Sequence, residues 1–206
     1  MNENRVTQLE KIAGEIQNLQ QSPLYEYRQT HNYKMVPGEG NSEAAIMFIG
    51  EAPGEKEAKN GRPFVGASGR FLSELLESIG LEREDVFITN IVKDRPPDNR
   101  DPTPAEIQLY QPFLLRQIEI IQPQVIVTLG RFAMDFILNQ FSLAEKGQKI
   151  SQLHGQLLTA QTSYGRISVV PLYHPAVALY TRASGEILKQ DFQILKQFVR
   201  GTPQRS

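Results

Sequence analysis

The chain has 206 residues, is 40% hydrophobic and carries a formal net charge of −1, with 22 Lys and Arg against 23 Asp and Glu. That is enough apolar material for one buried core, and too balanced a charge for a protein that binds nucleic acid over its whole surface, so any DNA contact must be local. With no cysteine, disulfides, thiolate nucleophiles and cysteine-ligated metals are excluded, and histidines at 31, 154 and 174 offer no zinc-ligand spacing. No apolar run reaches the roughly 18 residues of a membrane span. The polar start MNENRVTQLEK is unlike a secretory signal, so a cytoplasmic protein with no membrane association is expected.

In chain order, Val6, Leu9, Ile12, Ile16 and Leu19 are spaced by three and four, predicting an amphipathic helix over 4–20 that Ser22-Pro23 ends. The run 44–49 (AAIMFI) reads as a strand buried on both faces, followed by a Gly/Pro-rich turn from Gly50 to Gly54. A helix is predicted over 67–79, with Gly80 as C-cap, then a strand over 86–90. After a proline-rich loop from Lys93 to Pro104 come a helix over 105–121, a strand over 125–130 and a helix over 131–138. A minor strand over 155–160, a main strand over 167–172 and a last helix over 186–199 complete the pattern.

Alternating strands and helices predict an α/β fold, a three-layer α/β/α sandwich around a central, mostly parallel four-stranded sheet. Residues 1–206 are expected to form a single domain, with its core over about 15–200 and short flexible ends. Ligands of such sheets bind beyond the C-terminal ends of the strands. There the unusual residues gather: Gly50 to Gly54, Asn90, Gly130 and His174-Pro175.

Five segments occur in order: GEAPGEKE, GRPFVGASG, ITNIVKDRPPDNRDPTPAEI, VTLGRFA and YHPA. Together they resemble the family 4 uracil-DNA glycosylases of bacteria and archaea, over about residues 15–195. The resemblance implies a base excision repair hydrolase that flips uracil out of DNA, cuts its N-glycosidic bond and leaves an abasic site. It also implies a monomer whose partner is uracil-containing DNA.

By the same resemblance, Phe64 is the ring that stacks on the flipped base, a core aromatic being the alternative. Asn90 reads the uracil edge, accepting from N3–H and donating to O4, a pattern cytosine reverses. Outside this motif a loop-capping role for Asn90 would be the default. His174 is the donor to uracil O2, where negative charge develops on cleavage. Glu51 is the carboxylate that orients water or stabilises the cationic sugar. Ala52 stands where family 1 enzymes carry a water-activating Asp. Pro53 and Gly54 complete that turn, Glu57 guards against the C5-methyl of thymine, and Asn99 is a second polar contact; a solvated loop role is the alternative for the last two.

For DNA binding, backbone N–H groups at Gly66, Ser68 and Gly69 would hold phosphates as they enter a helix. The side chains of Lys93, Arg95, Arg100, Arg131, Arg166 and Arg182 are further phosphate candidates. Val177, Ala178 and Leu179 would fill the gap left by the extruded base; Tyr180 departs from the Arg usual in the family at this point, and Arg182 follows.

Family members typically hold a four-iron cluster on four cysteines. The matching positions here are Leu19, Ser22, Asp94 and Tyr110, none of which supplies a thiolate, so no iron-sulfur cofactor is expected. Leu19 and Tyr110 are expected to pack together, with Ser22 and Asp94 hydrogen-bonding near them. Three rival readings are a non-catalytic uracil-DNA-binding paralogue, a glycosylase for other deaminated bases such as hypoxanthine or xanthine, and a nucleotide-binding module. The last lacks a P-loop or a G-x-G-x-x-G turn.

Overall fold

The computed structural model describes residues 4–199 and opens with two helices where the sequence suggests one. α1 (Arg5–Gln17) starts at Asn4, whose side chain accepts from the Val6 N–H, and buries Ile12 and Ile16. Ser22-Pro23 then begins α2 (Pro23–Thr30) instead of merely stopping the first helix. Ser22 is the N-cap, accepting from the Leu24 N–H, and Pro23 sits at the first position, where no N–H is needed.

The chain continues through β1 (Glu39–Gly40), β2 (Ile46–Gly50), α3 (Glu55–Asn60), α4 (Ala67–Glu77), β3 (Phe87–Asn90) and α5 (Pro104–Ile121). It then runs through β4 (Val125–Leu129), α6 (Arg131–Gln140), α7 (Ile150–Leu153), β5 (Leu158–Thr162), β6 (Gly165–Leu172), α8 (Arg182–Phe192) and α9 (Lys196–Val199). Thr103 and Glu106 close a reciprocal capping box that fixes the start of α5.

The sheet has six strands in the order β1-β3-β2-β4-β6-β5. Its inner four, β3, β2, β4 and β6, are all parallel, which is the four-stranded parallel core expected from the apolar runs. Two antiparallel edges are added: β5, offset from the expected 155–160, and the two-residue β1, too short to leave a periodic signal. The last helix also differs, starting at Arg182 and passing into a 3-10 turn at Gln193–Leu195.

Side-chain alternation builds the three layers. Met47, Ile49, Phe87, Ile126 and Val169 pack on one face with Ile12, Ile16, Tyr110, Leu114 and Ile137. Ile46, Phe48, Ile88, Val127 and Val170 pack on the other with Leu72, Leu75, Leu188 and Phe192. Helices thus cover both faces, and the edge left open for chemistry is the one where the parallel strands end. Among the described residues no helix is long and apolar enough to cross a membrane. The expected core begins at about residue 15, whereas α1 starts at Arg5 and buries Ile12; residues 1–3 and 200–206 of the expected flexible ends lie outside the described residues.

Candidate active site

Three side chains come together from two strand ends and a loop: Asn90 closes β3, His174 follows β6, and Phe64 lies between α3 and α4. The last residue of β2 pairs with Asn90, the last of β3. A Cβ at Gly50 would overlap Asn90 Oδ1 and stand 2.8 Å from Phe64 Cζ, so only glycine leaves room between amide and ring. The Phe64 and His174 rings lie 5.7 Å apart between centroids, and a Cβ on Gly130, at the end of β4, would touch His174 Cβ at 3.2 Å.

Asn90 is 2% exposed, and its amide is not among the fully enclosed side-chain groups left without a partner, which are Arg28 Nε and Thr128 Oγ1 among the described residues. An amide edge that reaches the surface at a strand end, with no protein partner of its own among the described residues, fits a donor and acceptor kept for a ligand edge.

Phe64 is held in place against a backbone preference. Its φ of +50° is left-handed, which costs a residue with a Cβ about 1–2 kcal/mol. Arg83 donates to the Phe64 carbonyl at 3.1 Å and to the Pro63 carbonyl at 2.7 Å, and is itself anchored by Glu39 at 2.7 Å. On the other side Glu57 Oε1 accepts from the Val65 and Gly66 N–H groups at 2.9 and 2.8 Å. Gly69 lets α4 approach so closely that a Cβ would overlap the Phe64 carbonyl.

The protonation of His174 can be read from its contacts. Nδ1 accepts from the Ala176 N–H at 3.1 Å, which leaves the ring proton on Nε2. Burial pushes the imidazole down to about 4, against a smaller opposing pull from Glu57. At neutral pH the group is therefore a neutral imidazole that donates from Nε2. Glu51 moves the other way: burial, then the charge of Asp101, raise its carboxyl to about 7, opposed by Arg131. It is a proton acceptor poised near neutrality.

Other residues of the first turn follow the site. Pro53 is buried, Ala52 packs against the core, and Gly54 caps α3 beside Glu57. Asn99, at φ +53°, accepts from Arg95 Nε at 2.8 Å and is not brought to the three side chains by any contact among the described residues. Arg95 also donates to Tyr33 at 2.6 Å, and Arg100 is paired with the buried Glu106 at 2.6 Å.

Several phosphate candidates need correction. Lys93 is wholly buried, its ammonium held by Thr89, Asn90 and Gln117, and reaches no surface. The Gly66 N–H is taken by Glu57, and Gly69 is buried under Phe64. Arg166 lies near the start of β6, at the sheet edge opposite the strand ends that carry the site. Ser68 is half-buried in the first turn of α4, and Ala178 is half-buried against Gly185. Leu179 is 57% exposed, and Arg182 is exposed at the start of α8. Motif reading missed Arg83 and Glu39, which hold the Phe64 loop, because their partners are distant in sequence: main-chain carbonyls for Arg83 and the Arg83 and Arg62 side chains for Glu39.

At three of the four positions where cysteines would be sought, the side chains hydrogen-bond through Tyr110. Tyr110 Oη donates to Asp94 at 2.5 Å and lies 2.9 Å from Ser22 Oγ, and Arg28 pairs with Asp94 at 3.1 Å. Leu19 packs on the core cluster that contains Tyr110. A hydroxyl, a phenol and a carboxylate already paired with a guanidinium do not fit an iron-sulfur cluster, which takes thiolates. Among the described residues no group of three or more His, Cys, Asp or Glu is placed to hold a metal ion.

The fold and site are those of a parallel-sheet α/β protein with an aromatic ring, a side-chain amide and a neutral imidazole donor grouped beyond the C-terminal strand ends, an arrangement suited to a planar ligand. The family model described as the uracil DNA glycosylase superfamily matches residues 37–196. A type-4 uracil-DNA glycosylase of Saccharolobus solfataricus is 45% identical across 95% of this chain and 88% of its own length. Similar type-4 enzymes of Archaeoglobus fulgidus and Thermotoga maritima are 46% and 40% identical, over 90% and 93% of the chain and 90% and 95% of their own lengths. The chain belongs to the uracil-DNA glycosylase superfamily, within its type-4 family.

Proposed function

We propose that this protein is a uracil-DNA glycosylase of base excision repair, hydrolysing the N-glycosidic bond of uracil in DNA and leaving an abasic site. The observation that carries this reading is that the Phe64 ring lies against the Asn90 amide across Gly50 and 5.7 Å from the ring of His174, whose Nε2 is left as a donor.

The extruded uracil lies on the Phe64 ring. Its N3–H and O4 meet the Asn90 carbonyl and NH₂, and its O2 accepts from His174 Nε2. As the N1–C1′ bond breaks, the electron pair passes to uracil and the sugar becomes cationic, so the His174 donor acts where charge appears. A neutral imidazole suits this role, because it donates without giving up its proton. Glu51, ionised above about 7, stabilises the cationic sugar and takes a proton from the water whose oxygen joins C1′. Glu57 serves through the Phe64 loop it braces, at the side where a thymine methyl would enter. Leu179, with Ala178 beneath it, fills the vacated stack, and Arg95, Arg100 and Arg182 meet phosphates. The reaction uses one chain, in the cytoplasm, with no iron-sulfur cluster.

Release of free uracil from a single-stranded oligonucleotide carrying one uracil tests the reading. Alkali-labile scission at uracil, and none at thymine or cytosine in the same position, is expected. Tight retention of the oligonucleotide without scission would overturn it in favour of a binder, and scission confined to hypoxanthine would move the substrate.

A further inference from the structure

Lys93 is the one lysine with no exposed surface, and it sits behind the amide that reads the base. Its Nζ donates to Thr89 Oγ1 at 2.6 Å, to the Asn90 main-chain carbonyl at 2.7 Å and to Gln117 Oε1 at 2.7 Å. Thr89 in turn donates its hydroxyl to the Pro37 carbonyl at 3.1 Å, and Gln117 Nε2 donates to the same carbonyl at 2.6 Å. Only an ammonium satisfies all of these bonds at once, since Thr89 has spent its single proton and all three oxygens facing Nζ must accept. Burial pulls the lysine well below its ordinary range, yet a neutral amine has two protons for three acceptors. Among the described residues no carboxylate pairs with it.

An uncompensated buried charge is strongly disfavoured unless something offsets it. Methionine would fill the same volume without the charge but would leave three buried oxygens without a donor, so the ammonium serves the packing of this corner. A departing base gives its charge a second use. Accepting the proposed glycosylase activity, we infer that Lys93 is a buried cation that fixes the end of β3 behind Asn90 and stabilises, through its field, the negative charge developing on the leaving uracil. It touches no substrate and acts as a positioning residue with an electrostatic consequence. A unit charge about 10 Å from a forming anion, at an effective dielectric of about 20, changes a rate on the order of tenfold.

Comparison of two leaving groups separates this role from a merely structural one. Single-turnover excision is measured for oligonucleotides carrying uracil or 5-fluorouracil, whose anion is intrinsically more stable. Lys93→Met is expected to slow uracil excision about tenfold or more and 5-fluorouracil excision by clearly less, with KM unchanged. Equal slowing of both bases in a folded variant, or no slowing of either, would overturn the inference. Should Lys93→Met fail to melt cooperatively, the double variant Lys93→Met/Gln117→Leu removes the orphaned amide as well, and the same ratio is read from it. Wild-type protein inactive on both substrates would instead refute the glycosylase reading itself.

Discussion

His174 and Glu51 show how one strand-end site moves two titratable groups apart. Burial lowers the imidazole to about 4 and raises the carboxyl to about 7, so at neutral pH the histidine is a neutral donor while the glutamate is half ionised. The acid limb of activity therefore belongs to Glu51. Since only the ionised carboxylate accepts a proton, excision is expected to rise as pH increases through about 7 and then level. Glu51→Gln should be slow and flat across that range; an unchanged inflection in the variant would assign the limb elsewhere. The same shift has a sign for stability. A carboxyl raised on folding binds its proton more tightly in the native state, so its contribution is present below about 4.5 and lost as pH rises through about 7. Glu51→Gln is accordingly expected to melt higher than wild type at pH about 8, a gain in stability accompanying a loss of activity.

At the scale of elements, the segment joining α1 and α2 is tied to the loop before α5 by hydrogen bonds and an ion pair. Tyr110 comes from α5, Ser22 caps α2, Arg28 lies within α2, and Asp94 follows β3. Arg28 also donates to the Gln17 carbonyl at 2.6 Å, closing the network onto α1. Tyr110→Phe should lower stability by about 1–3 kcal/mol, because Asp94 and Ser22 stay buried with a partner missing. Asp94→Asn should cost more, about 3–5 kcal/mol, since it leaves the Arg28 charge without its counterion. Chemical denaturation reads both, and wild-type midpoints would show the network to be ornamental. Much of this was legible in the sequence. The motif register gives the four positions, and the polar character of Ser22 and Asp94 gives their hydrogen bonding; Tyr110, expected to pack with Leu19, also holds both through its hydroxyl. What escaped was Arg28, because nothing local distinguishes a helix-surface arginine from one folded back onto a carboxylate. α3 escaped as well: its residues, EKEAKN, bury only Ala58, and so carry no apolar period.

For the whole molecule, the inner parallel sheet was readable because strands buried on both faces are continuous apolar runs, and their ends point one way once the crossovers are right-handed. That placed the site. The roles of its charges could not be read the same way, since Lys93 looks like any loop lysine until β3, α5 and the Pro37 carbonyl close around it. Long-range packing decides whether a cation meets solvent, phosphate or a buried carbonyl, and sequence spacing does not record it. The assembled account rests on three side chains acting together on one flipped base. Its most direct test is single-turnover excision of uracil by wild type and by Phe64→Ala, Asn90→Ala and His174→Ala, with melting curves for each. The account predicts scission by wild type and losses on the order of a hundredfold or more in Asn90→Ala and His174→Ala, a clear loss in Phe64→Ala, and cooperative melting throughout. Wild-type rates in any of the three folded variants would contradict it.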